Sequence, residues 1–182
     1  MRKHLSFIAV VALLQACATS PSPPGPRPPD LTPIDTTESY VHEPSHAMVP
    51  AEYGGFRRVG LYRRGPDGQR LTASFAGGPP QCLVAITLFL DPAEESGRVD
   101  KSFTRAKGEV MHAYPSAVLD HEDSRTDPVG RRAYFTVDDK RMEVGVVQTG
   151  KGWDVKHRAV SPAQCAEQAR DSLNRFFIGW QR

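Results

Sequence analysis

His42-Glu43-Pro44-Ser45-His46 carries the letters His-Glu-x-x-His, the arrangement in which two histidines hold zinc and the glutamate serves as base for the metal-bound water. That chemistry needs both histidines on one face of a helix. Pro44 opposes helical geometry at Glu43 and removes a backbone donor, and Pro50 follows soon after. A looser metal set of His42 and His46 with Glu43 or Glu52 asks less of the backbone but would sit in an open segment. Asp120-His121-Glu122-Asp123 groups three acids with a histidine; its spacing fits no EF-hand, and the run reads as a solvated loop tip. His112 and His157 read as packed or partly exposed histidines. Ser74, Ser102 and Ser116 lie in no Gly-x-Ser-x-Gly elbow, and Cys82 and Cys165 form no Cys-x-x-Cys. No catalytic residue and no cofactor is assigned on these grounds.

The N-terminus is more specific. Arg2, Lys3 and His4 precede an apolar run from Leu5 to Leu14 that is too short to span a bilayer, and Leu14-Gln15-Ala16-Cys17 closes it. This resembles a bacterial lipobox. The resemblance implies that residues 1–16 are a signal peptide and that Cys17 becomes the lipidated first residue. With Ala18, not Asp, beside the cysteine, it also implies the outer membrane, facing the periplasm. Without Arg2 and Lys3 the 23 basic residues become 21, equal to the 21 acidic ones, so the net charge of +2 falls to zero. A neutral chain with scattered basic pairs is not the footprint of a nucleic-acid binder.

With Cys17 given to the lipid, Cys82 and Cys165 remain as an even pair. An oxidising compartment permits a disulfide between them, and two buried free thiols fit the sequence equally well. Between Ser20 and Pro33 seven prolines make an extended spacer; at ~3.1 Å per residue it reaches about 50 Å from Cys17. The division expected is signal peptide 1–16, tether 17–48 and one folded domain 49–182.

Within that domain Phe56–Arg63 and Leu71–Phe75 alternate around Gly65-Pro66-Asp67-Gly68, which predicts a hairpin. Cys82–Leu90 is apolar throughout and predicts a central strand covered on both faces. Phe103, Ala106 and Val110 have helical spacing, and Pro115 stops that helix. Arg131–Val137, Met142–Gln148 and Trp153–Val160 predict a three-stranded meander. In the last strand Trp153, Val155, His157 and Ala159 share one face, and Asp154, Lys156 and Arg158 share a face expected to be wet. Ser161 as N-cap and Pro162 as first helical residue open a final helix that buries Cys165, Ala169, Leu173 and Phe176.

This order, β-β-β-α-β-β-β-β-α, predicts an α+β fold with an antiparallel sheet of six to seven strands packed by two main helices. Tyr53-Gly54-Gly55-Phe56, the strand Val84–Leu90, the Gly130-Arg131-Arg132-Ala133-Tyr134-Phe135 strand and the closing Trp153 strand with its Ser161-Pro162 helix resemble PsbP-like domains, and the resemblance implies a PsbP-like sandwich. The function expected is a lipid-anchored, non-enzymatic binding or assembly module of the cell envelope, held to the membrane by its lipid and working with an envelope protein. The alternative is a zinc-dependent hydrolase built on His42, Glu43 and His46.

Overall fold

The computed structural model describes residues 31–79, 82–93, 99–126, 130–148 and 152–180; Cys17 and the proline-rich run up to residue 30 lie outside them. The strands are β1 (Leu31–Pro33), β2 (Tyr40–His42), β3 (Ala47–Val49), β4 (Glu52–Tyr53), β5 (Phe56–Arg64), β6 (Arg70–Gly77), β7 (Val84–Pro92), β8 (Val118–Thr126), β9 (Gly130–Val137), β10 (Lys140–Gln148) and β11 (Trp153–Pro162). Two helices, α1 (Val99–Ala113) and α2 (Ala166–Trp180), complete the fold.

A nine-stranded antiparallel sheet has the order β1-β5-β6-β7-β11-β10-β9-β8, with β4 also paired to β5, while β2 and β3 form a separate hairpin. This corrects the expected α+β sandwich of PsbP-like type with six or seven strands: the fold is dominated by one large sheet, and two helices are its minor part. The extra strands β1 and β4 are three and two residues long, too short for an alternating pattern to reveal. They exist because β5 supplies a partner, β1 pairing Leu31 with Arg64 and β4 pairing Tyr53 with Phe56.

The segment before residue 49, expected to belong to the tether, is packed from Leu31 onward. The Ile34 amide donates to the Leu61 carbonyl at 2.9 Å, and Ile34, Tyr40 and Ala47 pack against the core. Arg58 fastens it from the sheet side: its guanidinium donates to the carbonyls of Thr36 (3.0 Å), Glu38 (2.5 Å) and Val49 (3.0 Å). A planar group with five donors can satisfy several carbonyls that no strand ladder reaches.

Strand alternation sends two sets of side chains to opposite faces. On one face Val84, Ile86, Leu88 and Leu90 of β7 meet Phe56, Phe75, Val155 and Ala159, roofed by Ala169, Leu173 and Phe176 of α2. Phe176 makes edge-on ring contacts with Phe56 and Phe75 at centroid distances of 5.3 and 5.2 Å. On the other face α1 lays Val99, Phe103, Ala106 and Val110 over Phe135, Met142, Val144 and Val146 of β9 and β10. The helix therefore roofs the face of β11 expected to be wet, where Asp154 is buried and accepts a hydrogen bond from Ser102 of α1. Because α1 lies over β9–β11, the reverse face of β7 is only half covered, and Ala85 is exposed.

Cys82 and Cys165 form a disulfide with a Cα–Cα distance of 5.6 Å. It ties the chain just before β7 to the short 3₁₀ turn Ala163–Cys165 that leads into α2. Gly78, at φ 109°, folds the preceding chain so closely that a Cβ there would lie 2.8 Å from the Cys82 carbonyl oxygen. Because the bridge spans 83 residues, replacing both cysteines by serine is expected to lower stability by about 2–5 kcal/mol, read from the urea midpoint of the two proteins. Unchanged stability, or two free thiols from this pair in unreduced protein, would contradict the bridge.

Candidate functional site

The face beneath α2 changes character across the sheet. From β5 to β7 it is apolar, whereas β8–β10 present Asp120, His121, Arg132, Tyr134, Arg141 and Glu143. α2 lies over the junction, so its flank overhangs the polar half and leaves a groove of about 490 Å³. Tyr134, Arg141, Glu143, Ala159 and Ser161 line it from the sheet, and Ala166, Glu167, Ala169, Arg170 and Leu173 from the helix.

Cross-strand register builds the floor. His121, Tyr134, Glu143 and Ala159 stand in one row across β8, β9, β10 and β11, and Arg132, Gly145 and His157 in the next. His157 Nε2 is 2.9 Å from Glu143 Oε1, with the two side chains 2% and 5% exposed. Arg132 reaches the same carboxylate oxygen at 3.5 Å and donates to Asn174 Oδ1 of α2 at 2.9 Å. The polar floor is thus fastened to the roofing helix.

Burial pushes the His157 pKa below its ordinary 6.5, against the opposing pull of Glu143, and Arg132 lowers it further. The imidazole is neutral at neutral pH and donates from Nε2. For Glu143 burial acts upward most strongly, but the His157 hydrogen bond and the nearby positive charges of Arg132 and Arg170 outweigh it, and its pKa ends lowered. Burial and the Glu143 charge raise the Tyr134 pKa, so the phenol keeps its proton. A neutral donor, a carboxylate and an arginine make a satisfied buried network.

A β-bulge makes the outer wall. Register shifts between Leu119 and His121, and the extra residue lets Asp120 and His121, adjacent in sequence, both line the groove. His121 stacks on Tyr134 at 4.3 Å with 14° between the rings. Asp120 accepts from Arg141 at 2.6 Å and from Thr136 Oγ1 at 3.0 Å. The acidic run expected as a loop tip is therefore part of β8. Its charges suit a strand because Arg141 answers Asp120, and Lys107 and Arg131 answer Glu122.

Ser161 is likewise displaced from its expected role. It is the penultimate residue of β11, lines the groove and pairs with Arg141 in register, while no side chain caps the turn that follows Pro162.

The His-Glu-x-x-His letters do not form a metalloprotease helix. His42 ends β2, and the next four residues turn back into β3, with His46 at φ 54°. His42 is 2% exposed and both of its ring nitrogens are engaged: Nε2 lies 2.7 Å from the Gln69 carbonyl, and Nδ1 2.7 Å from Ser45 Oγ. The carbonyl accepts, so Nε2 carries the proton and Nδ1 accepts from the Ser45 hydroxyl. Burial lowers its pKa, with Arg63 adding to the effect, and its ring meets Trp153 edge-on at 5.0 Å. Glu43 and His46 are exposed on the far side of the turn. His42 anchors the hairpin to the sheet. Among the described residues no three His, Cys, Asp or Glu side chains converge on a common metal position.

Glu143, Gly145 and Arg170 escape sequence reasoning. One signal was present: Met142, Val144 and Val146 alternate with Glu143 and Gly145, which marks a strand face of different character. What that face meets depends on register. Gly145 pairs with His157, and a Cβ on it would stand 2.1 Å from His157 Cε1. The glycine is the space into which the imidazole folds. No protein-family model matches the chain, and no curated protein matches it significantly.

Gly145→Ala is expected to cost about 1–3 kcal/mol in urea unfolding, because the ring cannot give way without leaving Glu143. A variant as stable as the parent would mean that His157 does not occupy this position.

Proposed function

We propose that this chain is a lipid-anchored binding module of a bacterial cell envelope, attached through Cys17 to the outer membrane and facing the periplasm, and that it engages an envelope component in the groove beside α2. The observation that carries the reading is the preformed groove itself. Its volume of about 490 Å³ lies in the range of small-ligand sites. Binding fits better than turnover because the two groups best suited to acid–base work, Glu143 and His157, are bonded to each other and buried. They hold the floor in place and do not face a reacting atom.

The anchoring part rests on the resemblance of Leu14-Gln15-Ala16-Cys17 to a lipobox. Since the folded unit begins by Leu31, where β1 pairs with β5, the spacer between lipid and domain is at most residues 18–30, about 40 Å when extended. That length bounds how far the start of β1 can stand from the lipid.

Two variants of the full-length protein test the reading in cells. Cys17→Ser is expected to abolish incorporation of labelled palmitate and to deplete the protein from the outer-membrane fraction. A photo-crosslinking residue at exposed Glu167 is expected to give an adduct with an envelope component that Ala166→Trp, which fills the groove, abolishes while the melting transition is retained. Palmitate incorporation into the serine variant, or its undiminished presence in the outer-membrane fraction, would overturn the anchor, and adducts indifferent to Ala166→Trp would overturn the groove.

A further inference from the structure

We infer that the groove recognises its ligand through an anionic group, a carboxylate or a phosphate on a compact and partly apolar body, and that Arg170 of α2 is the residue that takes the anion. The inference deepens the preceding one and rests on the groove being the binding site.

It follows from the charges around the groove. Arg141 is paired with Asp120 at 2.6 Å. Glu143 is held by His157 at 2.9 Å and by Arg132 at 3.5 Å, and Arg132 also bonds Asn174. Arg170 differs from the other two arginines: its guanidinium carbon lies 5.5 Å from the centroid of the Tyr134 ring, and among the described residues it has no hydrogen-bond or ion-pair partner. The ring attracts the cation at this distance, and the guanidinium N–H donors remain available. Tyr134 is itself fixed by the stacked His121 ring, so the cation is aimed before any ligand arrives. Preorganisation of this kind lowers the cost of binding.

The sign of the ligand follows from the same groups. The buried carboxylate of Glu143 is already neutralised within the floor, and Asp120 is engaged on the outer wall. Glu167, the remaining acid at the rim, stands in the first turn of α2, where the helix dipole already favours its charge. Arg170 contributes positive charge toward Glu143 but makes no hydrogen bond or ion pair among the described residues, and two parallel N–H donors suit the oxygen pairs of carboxylate and phosphate alike. Ala159, Ala166, Ala169 and Leu173 around it offer an apolar surface to the rest of the molecule.

The experiment titrates the full-length protein with benzoate, phenyl phosphate, benzyl alcohol and benzylamine, following binding by ligand-observed NMR. Benzoate or phenyl phosphate is expected to bind while the neutral and cationic probes do not, and comparison of the two anions identifies which group is preferred. Arg170→Gln should weaken anion binding about 10- to 100-fold, and Ala166→Trp should abolish it. Raising the salt concentration should weaken anion binding to the unmodified protein, a readout that needs no variant. Benzyl alcohol or benzylamine binding as well as the anions, with Arg170→Gln without effect but Ala166→Trp inhibitory, would overturn the anion assignment and leave the groove intact. Anion binding indifferent to both substitutions would place it elsewhere and overturn the inference. If no probe binds, the anion inference fails, and the groove reading stands or falls on the crosslinking result.

Discussion

The contact between His157 and Glu143 is the constraint on which the polar half of this molecule depends. A carboxylate that is 5% exposed survives beneath a helix only with partners in place, and removing one partner of such a pair typically costs about 3–5 kcal/mol. Three neighbours meet the need. His157 donates, Arg132 supplies charge, and Gly145 leaves the room in which the imidazole lies across the sheet. Arg132 then extends the network to Asn174, so the orientation of α2 and that of the floor are linked.

The groove follows from how the two faces of the sheet are covered. α2 spends its apolar stripe, Ala169, Leu173 and Phe176, on β5–β7 and β11, and the disulfide fixes its start beside β7. A single helix of 15 residues cannot also cover β8–β10. On the opposite face α1 has the complementary placement, over β9–β11. Of the strands that carry the groove residues, β9 to β11 are therefore supported from behind by a packed apolar layer, which keeps their polar face in position without covering it. Stability is concentrated under the helices, and the open wedge lies between α2 and the sheet.

What could be read from the sequence divides along physical lines. The spacing of Phe103, Ala106 and Val110 reports α1 because one helix face contains its own pattern. Alternation likewise places Trp153, Val155, His157 and Ala159 on one face. Interactions across strands are less visible. Asp120, Glu122 and His121 look like a solvated loop until their partners Arg141, Lys107 and Tyr134 are known, and those partners lie 13 to 21 positions away or on the opposite helix. The short strands at Leu31–Pro33 and Glu52–Tyr53 owe their existence to β5 and carry no pattern of their own. The His-Glu-x-x-His letters mislead for the converse reason: the motif has meaning on a helix, and a proline with a tight turn makes it a hairpin tip. Gly145 shows the limit most clearly, since its role is defined by the side chain opposite and by nothing adjacent in sequence.

The central claim is that His157 is a buried neutral imidazole committed to Glu143. Nitrogen-15 NMR of labelled histidine side chains, followed as pH is lowered, tests it most directly. The account predicts that His157 carries its proton on Nε2 and is less than half imidazolium at pH 6.5, its ordinary midpoint. A ring that titrates at or above 6.5, or that carries its proton on Nδ1 with Nε2 bare, would contradict the account.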